Sequence, residues 1–273
     1  MKQLILISTL LFSFNGWAEE IEITEAKIKM SDGVFLAADI FWPADANKKD
    51  RFPILLEYLP YRKNESRSRN YSLYSYFLEH DYLVVRVDMR GTGNSEGVTI
   101  PYEYSDIELN DGEEVIDWLS KQEWSSGSVG MFGISWGGFN SIQMAMRNPP
   151  ALKAFVAIMA TEYLYQEDVH YMDGIIVAGD SWMMSNDLYN ALPGAPDFKM
   201  DEEWLKNRFN VEPSVYTYME QQRDGEFWDR ASARNKYNLI KVPGYHIGGW
   251  YDGYRNSLPR MLENVKAPTK AMI

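Results

Sequence analysis

Ser128-Val129-Gly130-Met131-Phe132-Gly133-Ile134-Ser135-Trp136-Gly137-Gly138 carries the reading that decides the fold. An apolar stretch over Ser128 to Phe132 predicts a short buried strand, and Gly138 to Arg147 a helix. Between them lies Gly-x-Ser-x-Gly, a modest signal alone. Set between a strand and a helix, it predicts the sharp turn that exposes a nucleophilic serine at the top of a sheet. The turn is tight, so the flanking glycines relieve crowding that a Cβ would create. The bland alternative is a glycine-rich strand–helix turn with an idle serine.

Outward from this turn, strands and helices alternate. Ile21 to Met30 and Val34 to Phe41 alternate around the turn Ser31-Asp32-Gly33, which predicts a β-hairpin. Phe52 to Tyr58 and Tyr82 to Val87 are nearly continuous apolar runs, as in strands buried on both faces of a parallel sheet. Tyr71 to Glu79 and Glu108 to Leu119 read as helices, and Leu152 to Ile158 as a strand. The expected fold is α/β, with a mostly parallel sheet and helices on both faces. From Ala160 to about Asn235 the alternation stops, and a stretch rich in Trp, Tyr, Met and Asp reads as helical segments with a loop at Pro193 to Pro196. An insertion after the sixth strand is expected to form a cap over the carboxyl ends of the strands. Val242 to Gly248 resumes as a strand, Arg255 to Val265 as a helix, and Thr269 to Ile273 opens another strand.

The whole chain bounds the function. Its 273 residues are 45% hydrophobic and 24% charged, the mixture of a packed globular protein. The aromatic content of 14% suits a large core with a deep ligand pocket, or thick packing alone. A net charge of -12 without any long basic run excludes a nucleic-acid partner. The interrupted basic stretch Arg62, Lys63, Arg67, Arg69 reads as a solvated loop. Residues 1–18 read as an export signal: Lys2 is the positive start, Leu4 to Phe14 the apolar segment, and Gly16-Trp17-Ala18 the small-residue cleavage site. The apolar run is too short to span a bilayer, which needs about 20 residues. The mature chain is therefore expected to be exported, periplasmic or secreted, with no membrane partner once the signal is removed. Cysteine is absent, which rules out disulfide and thiolate chemistry. No His/Cys/carboxylate spacing indicates a metal, and no cofactor is expected. Gly91-Thr92-Gly93 lacks the lysine of a phosphate loop and reads as the loop after the fourth strand.

Acyl transfer at Ser135 requires donors for an oxyanion. One is expected from the backbone N–H of Trp136, the residue after the serine. The loop after the third strand begins Leu59-Pro60-Tyr61-Arg62-Lys63, so Tyr61 is either a packing tyrosine or a second donor through its phenol. In folds with this elbow the triad runs serine, acid, histidine. Gly249-Trp250-Tyr251-Asp252-Gly253 follows a predicted strand, which makes Asp252 the candidate acid, although aspartate before glycine also simply builds turns.

These pieces resemble one family. Pro60-Tyr61-Arg62-Lys63, Asp88-Met89-Arg90-Gly91-Thr92-Gly93-Asn94-Ser95-Glu96-Gly97, Val129 to Gly138 and Gly248-Gly249-Trp250-Tyr251-Asp252-Gly253 are similar, in order, to motifs of the cocaine esterase and Xaa-Pro dipeptidyl-peptidase group of α/β-hydrolases, which includes α-amino-acid ester hydrolases. The resemblance implies the α/β-hydrolase fold. It implies Ser135 as nucleophile, Asp252 as triad acid, Tyr61 and the Trp136 N–H as oxyanion hole, and a small-molecule or peptide acyl substrate. It sets no oligomeric state.

The histidines depart from the family. Only His80, His170 and His246 exist, and none follows Asp252. The family's histidine lies past the next strand, in a Gly-Pro-Trp-x-His context. The sequence is therefore expected to be a piece of a longer chain that carries this histidine and a C-terminal β-sandwich domain. The expected organisation is a signal (1–18), a first part of the core (19–159), a cap (160–235) and the core resumed (236–273). His246 reads as a core residue, His80 as a helix-end residue, and His170 as a cap residue. Glu162, Asp168 and Asp173 of the cap read either as solvated charge or, by the resemblance, as partners for a substrate's α-amino group. The alternative function is a non-catalytic binding protein on a degenerate hydrolase scaffold. A coding frame that continues into Gly-Pro-Trp-x-His favours the enzyme, and a stop favours the binder.

Overall fold

In a computed structural model, residues 21–43, 45–172, 174–177 and 180–273 are described, the side chains of 180–182 aside. The expected export signal and Asp173 lie outside them. Eight strands form one sheet: β1 (Glu22–Lys29), β2 (Phe35–Trp42), β3 (Phe52–Leu59), β4 (Leu83–Asp88), β5 (Ser125–Ile134), β6 (Leu152–Ile158), β7 (Gly244–Ile247) and β8 (Thr269–Met272), in the order β1-β2-β4-β3-β5-β6-β7-β8. Only the β1–β2 and β2–β4 pairs are antiparallel; from β4 to β8 every pair is parallel.

Pleating divides the core, because neighbouring side chains on a strand face opposite ways. Ile40, Val85 and Met131 join the large cluster, while Phe41, Val84 and Phe132 join a smaller one behind the sheet. Helices α2 (Asp106–Ser120), α3 (Trp136–Arg147) and α6 (Ser257–Asn264) seal the large side through Val115, Ile116, Phe139, Ile142 and Met261. Helix α1 (Tyr71–Leu78) seals the other side through Tyr74 and Leu78, and Phe77 sets its ring edge against Phe132 at 5.2 Å. Helices thus lie on both faces, as the alternating pattern predicts. Their cover is uneven among the described residues: Ala154, Tyr245 and Met272, on the α1 side of β6 to β8, are exposed.

The segment after β6 is the helical cap that the sequence predicts. It includes α4 (Asp180–Ala191), α5 (Ser214–Glu220) and a small hairpin of Tyr171–Met172 with Ile175–Ile176. Its aromatic residues build a core of their own. Trp228 is 1% exposed, with Tyr171, Phe227 and Tyr165 at ring distances of 4.7, 5.1 and 5.6 Å. The cap docks on loops that leave the carboxyl ends of β3 and β4. Asn64 Nδ2 donates to Ala195 O at 2.6 Å, Thr99 N to Asn207 O at 3.0 Å, and Glu103 N to Tyr218 Oη at 3.1 Å.

The basic stretch after β3 is not the solvated loop expected from its composition. Arg62 and Lys63 are 5% and 1% exposed, and only Arg69 of the four points fully to solvent. The cause is Asp39 of β2, itself completely buried. Its carboxylate takes Lys63 Nζ at 2.6 Å and Arg67 Nε at 2.7 Å. A buried carboxylate without cations is expensive, so the strand recruits the loop's charges.

A second buried pair ties β3 to β4. Glu57 and Arg86 are cross-strand partners, 4% and 1% exposed, and the Arg86 guanidinium donates to the Glu57 carboxylate and, at 3.0 Å, to Ser66 Oγ. Tyr74 of α1 donates its hydroxyl to the same carboxylate. Arg86→Met leaves the buried Glu57 carboxylate without its cation, and is expected to lower the unfolding free energy by about 3–5 kcal/mol. The double variant Glu57→Leu/Arg86→Met should recover most of that loss. Urea unfolding of the three proteins measures both effects; equal losses in the single and double variants would contradict this account.

Candidate active site

Ser135 stands between β5 and α3 with φ 53° and ψ −123°, a conformation that side chains other than glycine rarely adopt. Its N–H donates to Ile158 O and its C=O accepts from Phe139 N–H, both at 2.9 Å, so the strained residue is fixed from each side. The bend brings Gly133 so close to Gly137 that a Cβ at Gly133 would stand 2.6 Å from the Gly137 carbonyl carbon. A Cβ at Gly137 would meet Leu59 Cδ2 at 2.9 Å. The serine is half-buried at the carboxyl edge of the sheet.

Tyr61, on the loop after β3, comes to the same point. The Trp136 N–H lies 3.4 Å from the Tyr61 phenol oxygen. Burial raises the pKa of the phenol, while the Ser135 side chain and the Trp136 N–H, both its hydrogen-bond partners, pull it back. Serine hydroxyl, phenol and backbone donor therefore converge. A cavity of about 690 Å³ opens beside them, walled by Tyr61, Ser135, Ile158, Leu73 of α1, and Asn186 and Tyr189 of α4. Sheet, α1 and cap all contribute to it.

Asp252 lies in the loop after β7. Its N–H closes a turn on Gly249 O at 3.0 Å, and its carboxylate accepts the Gly253 and Tyr254 N–H groups. Burial raises its pKa, and those N–H groups oppose the shift. Its Oδ2 is buried and has no hydrogen-bond partner among the described residues. Tyr254, two residues on, packs edge-on to Phe139 at 5.1 Å, and burial, followed by the charges of Asp168 and Glu103, raises the pKa of its phenol.

A family model of X-Pro dipeptidyl-peptidases (S15 family) matches residues 32–273. The chain belongs to this family. It is 29% identical over 266 residues to a protein named cocaine esterase from a Rhodococcus species, a match that covers 88% of this chain and 45% of that one. Among solved structures it resembles a CocE/NonD family hydrolase from Staphylococcus aureus, with a TM-score of 0.71, 24% identity, and cover of 92% and 46% of the two chains. An α-amino acid ester hydrolase follows, with a TM-score of 0.68, 21% identity, and cover of 97% and 51%. The chain thus spans about half the length of the relatives it matches. These likenesses fix the α/β-hydrolase fold.

None of the three histidines meets Asp252. His80 follows α1, lies tilted against the Tyr76 ring at 4.3 Å and bonds its Nδ1 to Tyr76 O at 2.7 Å. His246 is a core residue of β7: burial lowers its pKa to about 4, and it meets the edge of the Phe155 ring at 5.3 Å. His170 is buried in the cap beside Glu103, with Nε2 and Oε1 3.0 Å apart. Burial works to lower the His170 pKa, but the charges of Glu103 and Asp168 outweigh it and raise it to about 9. Glu162 is neither solvated nor free to meet an amine. It is fully buried and engaged by Arg260 at 2.6 Å, Tyr237 at 3.0 Å and Ser257.

Two buried carboxylates that sequence reasoning missed hold the site in place. Asp88, the first residue of the glycine-rich motif, accepts the Lys63 N–H at 2.5 Å and the Asn94 N–H at 2.9 Å. It thereby fixes the loop that carries Tyr61. Gly93, at φ 48°, passes so close that a Cβ there would meet Asp88 Oδ2 at 2.2 Å. Glu108 accepts the Trp136 indole N–H at 2.7 Å and the Tyr104 N–H at 2.6 Å, and so anchors the residue next to the serine. The sequence held one clue: Ser105-x-x-Glu108 is a capping-box pattern. The glutamate instead turns to the N–H before the cap and to the neighbouring helix α3.

Burial raises the Glu108 pKa from its ordinary 4.5 to about 8, against the pull of Trp136, Asn140 and the Tyr104 N–H. A raised carboxyl pKa favours the folded state fully below pH 4.5, and the advantage drains away as pH rises through 8. Wild-type unfolding free energy should therefore fall over this window more steeply than that of Glu108→Gln, by an amount on the order of a few kcal/mol. Urea titrations at several pH values test this; parallel pH profiles would refute it.

Proposed function

We propose that the protein is a serine hydrolase that cleaves an ester or an amide through an acyl-enzyme on Ser135. The observation that carries this reading is the meeting of a strained, half-buried serine with the Tyr61 phenol and the Trp136 N–H, 3.4 Å from each other, which we assign as the oxyanion donors. Ser135 Oγ attacks the acyl carbon, and its proton passes to an imidazole. The negative charge that develops on the carbonyl oxygen is taken up by the phenol and the backbone N–H. The imidazole returns the proton to the leaving group, and water then releases the acyl chain by the same steps in reverse. Asp252 orients that imidazole through its unpartnered Oδ2. A histidine carried by the loop that follows β8 would stand beside the Asp252 loop and would serve as this imidazole.

The substrate enters the cavity between α1 and α4, as a small-molecule ester or a peptide. The names of the relatives favour esters and Xaa-Pro peptides. In the same reading the protein is exported, and residues 1–18 are removed.

A fluorophosphonate probe applied to the full-length protein should label Ser135, and Ser135→Ala should abolish the labelling. Equal labelling of both proteins would defeat the proposal. Tyr61→Phe, which removes one oxyanion donor, should retain the fold and lower kcat by about 10²–10³ on an ester substrate. Residues 19–273 alone should turn over esters on the order of 10⁴-fold more slowly than the full-length protein, because they lack the base. Brisk Ser135-dependent turnover by that shorter chain would show that the base has been wrongly assigned.

A further inference from the structure

The sequence spacing points to no metal, yet three ligating side chains from distant parts of the chain meet beneath the cap. Glu103 belongs to the core, in the loop before α2, whereas Asp168 and His170 come from the cap. They are 7%, 2% and 3% exposed. One ligand atom from each lies within 4.8 Å of the other two. The closest pair, Glu103 Oε1 and His170 Nε2, stands 3.0 Å apart but is not aligned as a hydrogen bond. Neither ring nitrogen of His170 has a hydrogen-bond partner among the described residues, and neither has Asp168 Oδ2. The ring itself is fixed: it stacks on Tyr218 at 4.3 Å, and the Tyr218 hydroxyl accepts the Glu103 N–H.

Orphaned polar atoms in a dry site call for a partner. A protonated His170 is a poor one. It cancels one of two buried carboxylates, Arg230 reaches Asp168 by its charge while spending its N–H groups on the Tyr104 and Glu103 carbonyls, and the His170 Nδ1–H remains unspent. Asp187, close enough to act on His170 by its charge, adds a third carboxylate, although Ser214 Oγ donates to it at 2.5 Å. A divalent cation answers both deficits. It cancels Glu103 and Asp168 together, and it accepts the Asp168 Oδ2, Glu103 Oε1 and imidazole lone pairs as ligands. Ligands about 2.1 Å from a small cation stand about 3.0–3.4 Å from each other at octahedral or tetrahedral angles, which the Glu103–His170 separation meets; Asp168, within 4.8 Å but not in ion-pair contact with His170, has to close in as the ion binds. One imidazole with two carboxylates suits zinc or manganese rather than calcium.

We infer that Glu103, Asp168 and His170 form a binding site for one divalent transition-metal cation, which ties the cap to the core. The site is independent of the chemistry proposed for Ser135. Its role is mechanical: one ligand comes from the core loop and two from the cap, so the bound ion holds the roof of the substrate cavity in place.

The test uses full-length protein stripped with a chelator and titrated with Zn²⁺, Mn²⁺ or Co²⁺. Metal analysis after gel filtration should find one equivalent retained, and Co²⁺ should give visible absorption bands. Thermal unfolding should move up by several degrees, and protease cleavage within residues 160–235 should slow. Asp168→Asn and His170→Ala should each weaken binding on the order of 100-fold. Should one variant fail to fold, the other variant and the wild-type stoichiometry still decide. The inference is overturned if the wild type retains no metal, or if both variants bind as tightly as it does. Stabilisation by methylammonium but by no divalent cation would overturn it too, because the cluster would then be an amine site.

Discussion

The close approach of Gly133 to Gly137 is the constraint on which the rest of the site depends. It forces the chain to reverse between β5 and α3 within a few residues and leaves Ser135 in left-handed backbone space. A residue held there costs on the order of 1–3 kcal/mol, and persists only where its surroundings over-determine it. Here they do, because the Ser135 N–H is taken by Ile158 of the neighbouring strand and its carbonyl by the first turn of α3. Strain at the serine is thus borne by the parallel pairing of β5 with β6 and by the packing of α3 on the sheet.

Around that bend, the loops that complete the site are held by buried carboxylates rather than by apolar contacts. Asp88 joins the Tyr61 loop to the glycine-rich loop; Glu108 joins α2 to the residue after the serine; Glu162 joins the start of the cap to α6. Each receives two or more N–H or O–H donors, which satisfy its oxygens in a dry interior, although at Glu108 burial still outweighs them. Such anchors are directional. A phenol or an indole held by them keeps its orientation, whereas an apolar contact of equal strength would let it slide.

These two kinds of constraint differ in how far they can be read from the sequence. The elbow is local: strand, glycine, serine, glycine and helix follow within one short window, so both the fold and Ser135 were legible. The hairpin of β1 and β2 and the apolar runs of β3, β4 and β6 were legible for the same reason, since their periodicity records burial directly. The carboxylate anchors were not. Asp39 and Lys63 are 24 residues apart, Asp88 and Lys63 25, Glu108 and Trp136 28, and only folding brings them together. Composition therefore misread Lys63 as solvated and Glu162 as free. The cluster of Glu103, Asp168 and His170 escaped for the same cause, and the loops of Tyr61 and Asp252 left each with two readings, between which only the family's motifs chose.

The strand order accounts for how distant residues can share one site. In a parallel sheet all carboxyl ends lie on one edge, so the loops after β3, β5 and β7 emerge side by side. β5 and β7 flank β6, and at about 4.8 Å per step their ends stand about 10 Å apart. That gap is too wide for Asp252 to reach Ser135 directly, and about right for one imidazole between them. β8 lies next to β7, with Gly248 N–H donating to Met272 O at 3.0 Å, so the loop that leaves β8 begins beside the Asp252 turn. An imidazole carried by that loop would meet the open Oδ2 of Asp252 on one side and the serine on the other. The proposed order of serine, acid and histidine along the chain would thus follow the order in which β5, β7 and β8 reach that shared edge.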